Sequence, residues 1–399
     1  MISAAVLLAF ASSLAAQEAT ITPPESIVAE NVPKIPATLV ETAGQYGSYR
    51  TASFLDWSPT GREILISTRF GDTPQMHVVK APGGARQQLT FYADAVNNAR
   101  FHPNGDYIVF MKDIGGGEWY QLYRYDLKTG DVALLTDGKA RNLLGPWSSK
   151  GDQIAYTSTR RTGKDTDLWV MNPADPKSDQ LLTKLEGGGW EPLDWSPDDR
   201  KIMLKEEISI NEAYLWLVDT TTGEKTELTD RHAGYKVSYG DGRFSKDGQG
   251  IFVTTDNESE FHRLTFLDFN EKKSKYLTTD IPWDVESFDL SRDGKRIAFV
   301  ANEEGISVLY IMETATGKKT RAIRAWRMDK GQKVEINKHI PMVISGIRWS
   351  PDGKEVGYQC NWRLHQPTAG RTIWRMKCQS VGRSVSRRCR RARFQMPSL

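Results

Sequence analysis

Short runs of four to six apolar or alternating residues, each closed by a turn signal, recur along most of the chain. They are too short for the three-turn stripes of amphipathic helices, and their period of two predicts strands. Seven segments align on one pattern: Trp57-Ser-Pro-Thr-Gly, Phe101-His-Pro-Asn-Gly, Trp147-Ser-Ser-Lys-Gly, Trp195-Ser-Pro-Asp-Asp, Phe244-Ser-Lys-Asp-Gly, Leu290-Ser-Arg-Asp-Gly and Trp349-Ser-Pro-Asp-Gly, each followed by an apolar run such as Ile297-Ala-Phe-Val. Their starts are separated by 44, 46, 48, 49, 46 and 59 residues, the last interval holding an insertion around 325–340. Each head reads as a hairpin turn. Pro presets φ, Asp or Asn follows, and Gly supplies a left-handed residue that Asp199 replaces in the fourth unit.

A second hairpin follows in each unit, as in Leu215-Trp-Leu-Val-Asp219 running into Thr-Thr-Thr-Gly223. Most units then close on Leu-Thr, at Thr90, Thr136, Thr183, Thr229 and Thr278. Four short strands per unit of about 45 residues predict β-propeller blades. The expected fold is therefore all-β: a seven-bladed β-propeller of four-stranded antiparallel blades over 51–380, with room for an incomplete last blade. The aromatic at each head is expected to wedge between neighbouring blades, and 38–50 is a candidate extra strand for blade seven.

The ends differ from this body. Residues 3–16 are apolar and end in small residues before Gln17-Glu18, the pattern of a secretory signal peptide over 1–16, so an exported, periplasmic or secreted protein is expected. A leader segment spans 17–50, Pro-rich from Ile21 to Pro36. Residues 381–399 hold six Arg (Arg383, Arg387, Arg388, Arg390, Arg391 and Arg393) and no acid. The net charge of +3 less those six leaves −3 on the remainder, which argues against a nucleic-acid partner. This Arg-rich end reads as an out-of-frame or artificial terminus, with a basic arm as the alternative. No run approaches the length of a membrane-spanning helix.

The heads and tails resemble the TolB-like propeller repeats of exported bacterial proteins. The runs Ala43–Arg50, Asp113–Trp119, Thr157–Leu168 and Gly187-Gly188-Gly189-Trp190 resemble the N-terminal propeller of the prolyl oligopeptidase family of serine peptidases. The resemblance implies a propeller that restricts access to peptide-sized substrates, followed by an α/β-hydrolase domain with a Ser-Asp-His triad. No Gly-x-Ser-x-Gly occurs in this sequence, so no residue takes the nucleophile's role and no catalysis is expected from this chain alone. The expected function is thus the substrate-gating propeller of such a peptidase without its catalytic domain. A stand-alone exported propeller that binds a protein or peptide partner is the alternative.

No catalytic, cofactor-binding or metal residues are assigned, and no cofactor is expected. Glu206-Glu207 resembles the acidic pair with which dipeptidyl peptidases of that family hold a peptide amino terminus, although the surrounding sequence departs from that motif and solvated loop charges are the plainer reading. Gly115-Gly116-Gly117 and Gly187-Gly188-Gly189 lack the helix and the Lys-Ser/Thr of a phosphate loop. Asp165 and Asp167 lack calcium-loop spacing. Neither the six His (His77, His102, His232, His262, His339 and His365) nor Cys360, Cys378 and Cys389 have zinc spacing.

Overall fold

The computed structural model describes residues 19–394 except 26, 48–49, 97, 233, 323–325, 330–331, 336–341, 363–370 and 378–390. The signal-peptide stretch and most of the Arg-rich end lie outside the described residues. Two compact units are present, 1–50 and 51–399. In the first, Ala37–Gly47 is an α-helix with no buried residue. That corrects the expectation of a strand over 38–50. Ala, Leu, Glu and Gln suit a helix started by Pro36, whose carbonyl accepts the Leu39 amide.

In the second unit, four-stranded antiparallel sheets follow one another, each in simple chain order from the innermost strand outward. Six blades carry the full repeated plan, with all four strands joined by short turns: 52–88, 98–134, 142–183, 190–227, 239–276 and 285–321. The expectation of seven such blades is corrected to six. The seventh head, Trp349, lies in a sheet of different build (Met342–Trp349, Glu355–Trp362, Arg371–Lys377, Arg391–Phe394). Thirteen residues, 378–390, separate its last two strands in sequence. A separate hairpin, Trp326–Asp329 with Gln332–Glu335, precedes it. Head motifs count inner hairpins, and an inner hairpin does not guarantee a blade of the common plan.

That inner hairpin occupies the space between blades six and one. The Trp57 indole N–H donates to the Arg348 carbonyl (3.1 Å), and Arg62 pairs with Glu355 (2.9 Å). Gly357 lies under Phe54 and Trp57, where a Cβ would meet both rings.

Each blade interface is apolar. One cluster joins Ala155, Leu168 and Val170 of blade three to Trp190, Trp195, Ile202 and Leu204 of blade four. Another joins Leu65 and Met76 of blade one to Phe101 and Phe110 of blade two. The head aromatics are the wedges in these clusters. Their turns are braced in one way: the Ser196 hydroxyl donates to Asp198 (2.6 Å) and accepts the Lys201 amide (2.9 Å), and Ser245, Ser291 and Ser350 repeat this. Asp199 has φ 59°, as the glycine slot requires. Its carboxylate accepts the Ser149 and Lys150 amides of the preceding blade's turn. The Leu-Thr tails also have a structural cause. The Thr90, Thr136, Thr229 and Thr278 hydroxyls accept amides at the start of the third strand (2.8–3.1 Å), extending the ladder where the short fourth strand has ended.

Trp195 is 3% exposed, and its indole donates to the Pro146 carbonyl across the interface. Trp195→Ala is expected to cost about 3–5 kcal/mol in urea unfolding. A loss below ~1 kcal/mol would show that the ring does not depend on this wedge.

Candidate functional site

Alternation of the strands places the head turns and the Thr-Gly turns at one end of the ring. The loops between second and third strands, and the links between blades, lie at the other. Three stretches distant in sequence meet at that second end, between blades three and four. Asp165 accepts the Gly187 amide (2.9 Å), and the Gly187 carbonyl accepts the Thr166 amide (2.9 Å). The Gly189 carbonyl accepts the Glu207 amide (2.8 Å). Gly188-Gly189 runs into the inner strand Trp190–Trp195, so the glycines are a strand-entry loop. A Cβ on Gly189 would clash with the Glu207 carbonyl. The other glycine run, Gly115-Gly116-Gly117, is an exposed loop held where Gly115 donates to Asp94 (2.8 Å).

Asp165 and Asp167 are occupied by an arginine. The Arg161 guanidinium binds Asp167 through two bonds (2.8 and 2.9 Å) and reaches Asp165 (3.3 Å) and the Leu185 carbonyl. Asp167 is fully buried and also accepts the Leu185 amide. This is the two-toothed carboxylate–guanidinium geometry of a structural clamp.

Glu206 and Glu207 are adjacent in the strand Lys201–Ser209, so they point to opposite faces of the sheet. Glu206 is buried and accepts from the Trp216 indole (2.9 Å) and from Arg231 (3.1 Å). Beside it Lys225 lies 4.2 Å from the centroids of both Trp190 and Trp216, a cation held by two aromatic faces. Burial pushes the Lys225 ammonium below its ordinary pKa. Glu207 shares Lys205 with Glu191 on the opposite face (3.3 and 2.9 Å). The two carboxylates therefore do not converge on one amine, and each already has a cation.

The histidines are dispersed. His102 stacks on Tyr107 (4.3 Å), and its Nε2–H donates to the Gly151 carbonyl (3.0 Å). His77 is buried beside Phe70. His262 lies 3.6 Å from Asp284, and His232 is exposed. His339, His365, Cys378 and Cys389 lie outside the described residues, and Cys360 is buried. Among the described residues, no group of three or more His, Cys, Asp or Glu is placed to hold a metal ion.

One constellation escapes linear reading because its members lie about 45 residues apart. The residue before each head lines the central channel: Asp56, Arg100, Pro146, Asp194, Arg243, Asp289 and Arg348. The six charged ones are half-buried. Each Asp accepts the head amide of the next unit: Asp56 from Phe101 (2.9 Å), Asp194 from Phe244 (2.9 Å) and Asp289 from Trp349 (2.7 Å). Burial lifts all three carboxyls above the usual value, opposed by arginines: Arg348 for Asp56, and Arg243 for Asp194 and Asp289. The signal available in the sequence was the position one before each head, where acid and base alternate.

Residues 47–238 match the TolB β-propeller domain family, PD40. The TolB-like repeats have relatives among peptidases. Dipeptidyl-peptidase 5 of Porphyromonas gingivalis is 23% identical over 319 residues, 65% of this chain and 46% of that protein. The uncharacterized peptidase YuxL of Bacillus subtilis is 25% identical over 217 residues, 52% of this chain and 30% of that protein. The chain thus spans less than half the length of either. Among solved structures, one from a mechanistic study of two prolyl endopeptidases superposes with a TM-score of 0.64 at 13% identity, over 85% of this chain and 50% of that one. Oligogalacturonate lyase in complex with manganese gives 0.61 at 13% identity, over 83% and 91%. At that identity these two share the fold. Over the matched stretches the chain is similar to the TolB β-propeller domain family and to these two peptidases.

Two measurements test these assignments. Gly189→Ala is expected to destabilise by about 1–3 kcal/mol, because the strand-entry loop must move off the Glu207 carbonyl. Full wild-type stability would refute that close approach. Burial lowers the pKa of His102 and of His77, so the folded state binds fewer protons than an unfolded His with a pKa of about 6.5. Their contribution is complete above that value and is lost as pH falls through the window below it. His102→Gln, which keeps a donor for Gly151, is expected to flatten the acid limb of stability against pH. An unchanged slope would mean that His102 is not its source.

Proposed function

We propose that this chain is the access-restricting propeller of a prolyl oligopeptidase-like serine peptidase, and that its loop end seats the α/β-hydrolase domain that carries the chemistry. The observation behind this reading is the prevalence of exposed apolar side chains at one end of the ring. Phe70, Ile114, Trp119 and Ile210 stand on loops between second and third strands, Ile208 stands near the end of the strand that leads into one of them, and Phe91 and Tyr235 stand on links between blades. All seven therefore belong to the same end of the ring. At the head-turn end Val132, beside the Thr129-Gly130 turn, is exposed as well. Exposed apolar side chains gathered at one end of a domain suit a surface that another body covers. The peptidase relatives, each more than twice the length of the matched share, supply the class of that body.

In this reading peptides reach the catalytic domain past the loop end or through the channel, and large proteins are excluded by the ring. The reaction belongs to the hydrolase domain and not to these residues. Export is part of the same proposal, supported by the apolar stretch 3–16 with its small-residue end.

The coding region read around and beyond codon 380 in all three frames is expected to reveal a Gly-x-Ser-x-Gly domain. A clean frame with no such domain would overturn the peptidase reading and favour a stand-alone binding propeller. On the protein itself, a fluorophosphonate probe is expected to leave this chain unlabelled. Specific labelling of a serine here would contradict the division of labour.

A further inference from the structure

Each repeated blade ends in a strand with one free side, and one of these six edges differs from the rest. The outer strands Arg86–Gln88, Asp175–Thr183, Lys225–Glu227, Lys273–Tyr276 and Lys319–Arg321 each carry at least one charged side chain. Charge on an edge strand discourages pairing with another chain. Blade two ends in Val132-Ala133-Leu134, which has no charge, and Val132 and Leu134 are 41% and 47% exposed.

The ladder shows which groups of that strand are turned outward. Val132, Ala133 and Leu134 pair with Tyr125, Arg124 and Tyr123. The Leu135 amide donates to the Leu122 carbonyl (2.8 Å), and the Asp126 amide donates to the Asp131 carbonyl (2.9 Å). Inward bonds therefore fall on residues 131, 133 and 135, and the amides and carbonyls of Val132 and Leu134 point to the free side. Their side chains share a face with Tyr125 and Tyr123, which pack against the apolar cluster between blades one and two. Ala133 lies on the other face with Arg124, whose guanidinium donates to the Pro173 carbonyl of blade three (3.0 Å).

We propose that this edge pairs with the same edge of a second copy of the chain, antiparallel about a two-fold axis at Ala133. In that register the outward groups of Val132 meet those of the second copy's Leu134, and the reverse, so both of its free amides and both of its free carbonyls are satisfied. Each apolar pair is flanked by the tyrosines already beside it, which gives two rows of Tyr-Val-Leu-Tyr across the joined sheets. Asp131 comes opposite Leu135, so no like charges are opposed. The same operation on blade five would set Lys275 against its own counterpart, and on blade six Lys319 against Arg321. On blade four it would join Lys225 to Glu227, but Lys225 is held between Trp190 and Trp216, and Glu227 accepts the Arg231 amide (2.8 Å). A second copy is the occupant because the blade-two edge is its own complement, as a two-fold contact requires. Three residues a side bury far less than the roughly 1,000 Å² of a lasting interface, so the dimer is weak, with a Kd of about 0.1–1 mM. The inference rests on this edge and is independent of the peptidase reading.

The test follows the full chain by small-angle X-ray scattering from about 10 µM to about 0.5 mM. Forward scattering per unit mass is expected to rise toward that of a dimer. Val132→Lys and Leu134→Lys install the kind of charge the other edges carry, and each is expected to raise Kd at least roughly tenfold. Both positions are exposed, and circular dichroism checks each fold. Ala133→Cys sits on the axis in a non-hydrogen-bonded pair and is expected to form a disulfide with its own counterpart under mild oxidation, located by peptide mapping. A chain that stays monomeric across that range, a dimer undiminished in a folded lysine variant, or an Ala133→Cys protein without the symmetric bond overturns the proposal. A monomer whose Val132 and Leu134 amides gain hydrogen-exchange protection from an acetylated Thr-Val-Thr-Val-Thr amide would give the edge to foreign strands and overturns it as well.

Discussion

The ring depends on polar bonds that cross between blades, because nothing else fixes how one blade is rotated against the next. Successive sheets meet face to face without a shared backbone ladder, and their apolar contacts are non-directional. Register comes from two reciprocal devices. An Asp before one head accepts the amide of the next head, at Asp56–Phe101, Asp194–Phe244 and Asp289–Trp349. A head indole donates to the carbonyl of the residue before the previous head, at Trp57–Arg348, Trp195–Pro146 and Trp349–Asp289. Each bond is modest in net energy, but leaving its buried partner unsatisfied is costly. A blade rotated out of place would orphan several such groups at once, so the locks specify one arrangement that burial alone would leave degenerate.

These devices explain which parts of the fold were legible in the sequence. Head turns, second hairpins and Leu-Thr tails are local, and each local signal has a local cause: the Ser-to-Asp brace, the left-handed slot that Asp199 fills, the Thr hydroxyl that extends the ladder. Features set by distant partners were harder to read. The seventh head promised a seventh blade because its inner hairpin obeys the same local rules, while the outer strands depend on residues further along the chain. The helix Ala37–Gly47 buries none of its residues, so it leaves no apolar stripe to read. The channel ring is invisible within any one unit and emerges only when residues about 45 apart are aligned on their heads.

The candidate site shows how adjacency in sequence misleads inside a strand. Glu206 and Glu207 look like one acidic feature, yet the pleat separates them, and their cations come from different positions: Arg231 for the first, Lys205 for the second. Conversely, Asp165, Gly187 and Glu207 look unrelated and form one hydrogen-bonded corner. The two acids and the glycine run, loose in the linear sequence, make a clamp closed by Arg161. Each of these charged groups is already paired, which makes the corner a means of fixing two loops and leaves little capacity for a ligand.

Recognition must then come from groups the fold leaves uncommitted, and these are distributed in a telling way. The head-turn end is consumed by bracing, since each turn abuts the next, as Pro103 does Gly151 and Lys246 does Gly294. Substitution there disturbs neighbours on both sides, so that end is poorly placed to vary. The loop end has the opposite property. Its connections range from the two residues between Ser209 and Glu212 to the eleven between Glu227 and Tyr239, and it holds most of the exposed aromatic and aliphatic side chains of the blades. Between the two ends the positions before the heads hold three Asp and three Arg, equal in number, with Pro146 as the one uncharged member. A scaffold braced at one end, with its axial charges matched and its loops varied at the other end, confines any selectivity to the loop end.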